Sequence, residues 1–123
     1  MFDLRKLIHS DVFDNELDQA KHFLSQGYLI PALVIAGTVL ESALRELCEQ
    51  NGLSIDKPSI NRMNDELAKL GIYNKAMKTQ ILNWGQNRNS AAHGVREELN
   101  QITENDAKRM IDGIGDFVAR CLN

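Results

Sequence analysis

Apolar residues recur with a period near 3.6 along almost the whole of this 123-residue chain, and no stretch alternates with a period of two. That pattern leaves no candidate for a half-buried strand and predicts an all-α fold. Leu4, Leu7 and Ile8 suggest a short lead-in helix, and Ser10 or Asp11 can cap a second run through Phe13, Leu17, Ala20 and Leu24. Gly27 stops that run, and Pro31 suits the first turn of the next helix, where a missing N–H does no harm. This third run extends to about Gln50 on a stripe of Leu33, Ala36, Leu40, Leu44 and Leu47. Val34, Ile35, Val39 and Ala43 make a second apolar face, so the helix is expected at the centre. Ala36-Gly37 offers a flat place for a neighbouring helix.

Asn51-Gly52 ends the central helix, and the segment to Pro58 reads as a loop. Ser59 or Asn61 starts a short helix with Ile60, Met63, Leu67 and Leu70 inward, and Gly71 stops it. Asn74 caps a longer helix through Met77, Ile81 and Trp84 to His93, with Gly85 loosening its middle and Gly94 as the stop. Thr103 with Asp106 forms a capping-box-like start for a last helix on Ala107, Ile111, Ile114, Val118 and Cys121. The expected architecture is an antiparallel bundle of four main helices plus short helices, one domain over residues 1–123. A chain of this length, 43% hydrophobic and 25% charged, buries enough surface to fold without a metal or disulfide.

Several function classes drop out early. The most apolar stretch, Tyr28 to Leu40, is broken by Thr38 and followed by Glu41, too short to span a bilayer, so no membrane role is expected. Met1 to Lys6 lacks the apolar run of a signal peptide, and Cys48 and Cys121 have no ligand spacing. Both thiols are read as reduced, in a cytoplasmic protein. His9 and His22 stand alone, Ser42 and Ser90 have no triad partners, and no Gly-rich phosphate loop occurs. No metal or other cofactor is therefore expected.

Charge is unevenly spread. From Leu67 to Arg96 there is no acid, while Lys69, Lys75, Lys78, Arg88 and Arg96 make the segment +5 within a chain of net charge −3. Lys75 and Lys78 share the face of His93 by helical periodicity and, with Arg96, are the candidate RNA-binding residues. Within the segment, Arg88 falls on the apolar stripe of Met77, Ile81 and Trp84, where a guanidinium requires a partner. Asn89 and His93 are one turn apart on an adjoining face. An Arg that binds phosphate oxygens, an amide that orients and an imidazole that exchanges protons near neutrality suit phosphate chemistry. The plainer alternative is an Arg–carboxylate bridge and a capping His. Glu41 is either an i,i+4 partner of Arg45 or the holder of Arg88.

The segment Arg88-Asn89-Ser90-Ala91-Ala92-His93-Gly94 resembles the signature of the HEPN superfamily: an Arg, a polar residue, a short spacer and a His. The upstream run Ala36 to Arg45, with its acid at Glu41, looks like that family's preceding long helix. The resemblance covers about Leu17 to Leu122 and implies a metal-independent endoribonuclease acting as a homodimer. His93 would move the proton of a ribose 2′-OH, Arg88 would stabilise the pentacoordinate phosphate, Asn89 would position one of them, and Glu41 would orient Arg88. It further implies a toxin or defence effector, with an antitoxin or inhibitor protein as a partner. One branch of the family carries a Tyr two residues after the His; here that position is Val95, which sets the chain apart from that branch. A second reading is a catalytically silent helical module that binds RNA, a nucleotide or a protein partner. A third is a structural domain in which Arg88 bridges to Glu41.

Overall fold

The computed structural model describes residues 4–94 and 96–122, with side chains from Asp11 onward. The expectations for the first three residues and for Val95 lie outside the described residues, as does that for the side chain of His9. Among the described residues six helices follow one another: α1 (Leu4–Ser25), α2 (Leu29–Gln50), α3 (Ile60–Lys69), α4 (Lys75–His93), α5 (Arg96–Leu99) and α6 (Glu104–Leu122). Among the described residues there is no strand. The central role expected of the Pro31 helix is what the packing shows, since α2 touches α1, α3, α4 and α6. Three residues join α1 to α2, and the two pack together as an antiparallel pair.

The lead-in helix and the second run are one helix, not two. α1 passes unbroken through Ser10 and Asp11. Neither residue is Gly or Pro, and each lowers helix propensity by only about half a kcal/mol relative to Ala. That is too little to open a helix whose next turns bury Phe13, Leu17, Ala20 and Leu24. At its far end the amide of Gly27 bonds to the Leu24 carbonyl and that of Tyr28 to Phe23, with Gly27 at φ 84°. This pair of bonds needs a left-handed residue in the middle, which glycine supplies without strain. The same pair recurs after α3, from Gly71 to Ala68 and from Ile72 to Leu67. That turn explains a second departure. Leu70 was expected inward, but it sits at the cap, past the last helical residue, and is 53% exposed.

One apolar core runs through the bundle, with Leu33, Leu40, Leu44, Ile81, Ile114 and Phe117 at its centre. Gly85 does not loosen α4. The helix continues through it, and a Cβ placed there would lie 3.1 Å from Ile60 Cγ2, so Gly85 lets α3 approach closely. A buried amide locks the same pair of helices. Asn64 Nδ2 donates to the Lys78 carbonyl at 2.9 Å, and the Tyr73 hydroxyl donates to Asn64 Oδ1 at 2.7 Å. Burial raises the Tyr73 pKa, so the hydroxyl stays a donor throughout the ordinary pH range.

The start of α6 is a reciprocal cap. The Thr103 amide donates to Asp106 Oδ2 and the Asp106 amide donates to Thr103 Oγ1, both at 3.0 Å. Thr103→Ala should lower stability by about 1 kcal/mol, read from urea unfolding. The bonds from Thr103 hold the Asp106 pKa below its ordinary value. The folded-state pKa is the lower one, so this contribution is present above about pH 4 and fades as pH falls through the lowered value. A Thr103→Ala protein that unfolds at the parent's urea midpoint would remove the cap from the account.

Candidate functional site

Two elements build the site. α2 presents Gly37, Glu41 and Arg45 at successive turns, and α4 crosses it with Arg88. A Cβ on Gly37 would lie 2.5 Å from Arg88 Cβ and closer still to Cγ, so the glycine is the seat of the arginine stem. A matching seat lies on α6, where a Cβ on Gly113 would come within 2.5 Å of Trp84 Cζ2. The stripe that carries Trp84 and Arg88 therefore docks into two gaps left by missing side chains.

Past its stem, Arg88 turns toward Glu41, and Nη2 donates to Oε2 at 3.5 Å. The other oxygen of Glu41 accepts from Arg45 Nη2 at 2.9 Å. Both partners expected of Glu41 are thus realised at once, one on each oxygen. The shorter pair is the i,i+4 one; the Arg88 pair is at the long limit of a hydrogen bond and partly open to water, with side-chain exposures of 30% and 24%. Exposed pairs of this kind contribute at most about 1 kcal/mol. Arg88 Nη1 lies 3.5 Å from Asn89 Oδ1, and its Nε is buried without a hydrogen-bond partner.

Over this group opens a pocket of about 260 Å³, walled by Glu41, Arg88 and Asn89 and closed on its far side by Ser59, Ile60 and Asn61. Its charged lining is the Arg88–Glu41 pair, and Arg45, the second partner of Glu41, faces a separate hollow beside Glu49. Arg88 keeps N–H groups on Nη1 and Nη2 beyond those given to Asn89 and Glu41, and with Asn89 Nδ2 they are a donor set for an oxyanion such as a phosphate.

His93 stands outside that pocket. It is the last residue of α4, exposed, directly before Gly94 at φ 65°. By helix geometry it lies about 7.5 Å along the axis from Arg88 and about 140° around it. One copy of the chain therefore gathers Arg88, Asn89 and Glu41, and leaves His93 on the outer face of the helix end.

The basic residues are dispersed. Lys78 Nζ meets Asp65 Oδ1 of α3 at 3.5 Å, and Lys69 meets Glu66 at 3.5 Å. Lys75 forms no ion pair among the described residues. Lys78 is fifteen residues from His93 on one helix, about 22 Å along the axis. Arg96 is nearer, just past Gly94, on a hollow shared with Tyr28, Pro31 and Leu99. Of the basic residues in the acid-free run from Leu67 to Arg96, Lys69 and Lys78 are thus met by acids of α3 and Arg88 by Glu41 of α2.

Arg45 was not expected in the site, although Gly37, Glu41 and Arg45 at intervals of four is the signal that could have found it. No group of His, Cys, Asp and Glu among the described residues could hold a metal ion. Burial pushes both thiols up, with Glu66 adding to the effect at Cys48, so neither is a ready nucleophile near neutral pH. No helix of the described residues is long and apolar enough to cross a membrane. Comparison with family models, curated proteins and solved structures finds no match for the chain.

Proposed function

We propose that the chain is a HEPN-like, metal-independent endoribonuclease that works as a homodimer. The observation that carries this reading is the Arg88 guanidinium, held at the lip of a pocket by Gly37 and Glu41, with Asn89 beside it. A scissile phosphate in that pocket would meet fixed positive charge where negative charge develops. His93 takes the proton of the ribose 2′-OH as its oxygen attacks phosphorus. The 5′ oxygen leaves with a proton from a second imidazole. The products are a 2′,3′-cyclic phosphate and a 5′-OH. A second copy supplies that second imidazole, and pairing across the α4 ends brings one copy's exposed His93 toward its partner's Arg88 pocket. Lys75, Lys78 and Arg96 contribute to RNA binding in this reading. Restraint of a toxin or defence effector by an antitoxin or inhibitor protein is the setting that the resemblance suggests.

The test is cleavage of labelled RNA in EDTA. Cleavage should persist, and a strand with a 2′-deoxy group at the cleaved nucleotide should resist, because the nucleophile belongs to the substrate. Cleavage abolished by EDTA, or a deoxy strand cut at the parent rate, would refute the mechanism. One observation favours a second reading, a silent module that binds RNA, a nucleotide or a protein: within one copy Arg88 is already paired to Glu41 and His93 stands apart. That module would bind its partner and cut nothing.

A further inference from the structure

A hollow of about 570 Å³ lies between α4, α5 and the first turns of α6, apart from the Arg88 pocket. Its apolar wall carries Trp84, Ile102 and Met110, and its polar wall carries Asn87, Glu98, Gln101, Asp106 and Arg109. Glu98 is not adrift. Its carboxylate meets the hydroxyl of Ser90, which is only 6% exposed and also lies 3.0 Å from the Gln86 carbonyl, and this contact joins α5 to α4 although α5 has no fully buried residue. Arg109 forms no close ion pair among the described residues, although its charge acts on Asp106 one turn earlier, which is already bonded to Thr103. Asn87 Nδ2 has a methionine sulfur at 4.0 Å, a weak acceptor that leaves most of the amide's capacity unused.

We propose that this hollow receives a guanine base of the RNA. A slot with an apolar side and amide groups suits any base, and the charged pair selects among them. Guanine has two adjacent acceptors, O6 and N7, which match a guanidinium fork, and on its next edge two adjacent donors, N1–H and N2–H, which match a carboxylate. Adenine has one acceptor and one donor group on the corresponding edge, and uracil offers a carboxylate no pair of donors. Arg109 takes the O6/N7 edge and Glu98, fixed by Ser90, takes the N1/N2 edge. Resting on the ribonuclease reading for the identity of the polymer, the inference also fixes the cut. His93 follows Ser90 by three residues, about 4.5 Å along the axis and about 60° around it, so the chain is cut next to the bound guanosine.

Calorimetric titration with the four nucleoside 5′-monophosphates separates base from phosphate, since all four carry the same phosphate. GMP should bind at least about tenfold more tightly than AMP, CMP or UMP. Glu98→Gln, which keeps the Ser90 bond but exchanges an acceptor for a donor, and Arg109→Met should each erase that preference. An Arg88→Ala/His93→Ala protein should retain it. Equal binding of all four nucleotides, or no binding of GMP at millimolar concentration, overturns the proposal. A guanine preference without RNA cleavage keeps it and removes the ribonuclease reading. Cleavage after every base, with no preference among the nucleotides, does the reverse.

Discussion

His93→Ala should lower RNA cleavage by a factor of about 10² to 10⁴, the usual cost of losing a general base. Arg88→Ala should lower it by about 10² to 10³, the cost of losing a donor aimed at developing charge. Both proteins should remain folded and sediment like the parent. His93 is exposed and makes no contact that the core depends on. Arg88 is 30% exposed, and its ion pair is long and wet, while Glu41 keeps its 2.9 Å bond to Arg45 when Arg88 is gone. Glu41→Gln should cost less than either, because a neutral amide oxygen can still accept from one guanidinium. The readout is the initial rate of cleavage at fixed protein concentration, with circular dichroism and sedimentation as controls. A His93→Ala protein that cuts at the parent rate ends the ribonuclease reading, and a parent that cuts no RNA hands the site to the binding-module reading.

What could be read from the sequence divides along a physical line. Helix starts and stops are local events. Asn74 accepting from the Met77 amide, Ser59 accepting from Arg62, and Gly27, Gly71 and Gly94 in the left-handed region all follow from residues within four positions of one another. The periodic stripes carried as far, because burial of one face depends on spacing alone. The lead-in helix and Leu70 were misread where weak local preferences lost to continuity of the backbone ladder and to the turn that ends α3.

The candidate site was legible only as a list of residue types. That Arg88 needed a partner followed from its place on the Trp84 stripe, and Glu41 is that partner across forty-seven positions. Periodicity could also have shown that Arg88 and His93 point to different sides of α4, since five residues turn a helix by about 140°. The pairing of Lys78 with Asp65, the tether from Ser90 to Glu98 and the pocket beside Arg109 depend on how helices cross. No spacing within one helix encodes those meetings.

Gly37 links fold and site. On propensity alone, Gly37→Ala in the middle of α2 should stabilise the protein by about 1 kcal/mol. Here the expected sign is the opposite. The new Cβ would stand 2.5 Å from Arg88 Cβ, an atom fixed to the α4 backbone that no rotamer can move. The two helices must part, and overpacking of that kind costs about 1 to 3 kcal/mol. Parting them also draws the guanidinium off Glu41, so cleavage should fall as far as it does in Arg88→Ala. Gly37→Val, with two further carbons, should do more of both. The decisive comparison is Gly37→Ala in an Arg88→Gly background, where both crowding atoms are absent. There the alanine should be neutral or stabilising in urea unfolding, while cleavage stays lost. A change from destabilising to neutral or stabilising between the two backgrounds is the signature of a seat for the Arg88 stem. If Gly37→Ala raises stability equally in both, the close crossing of α2 and α4 at Arg88 is wrong, and the pocket built on it falls with it.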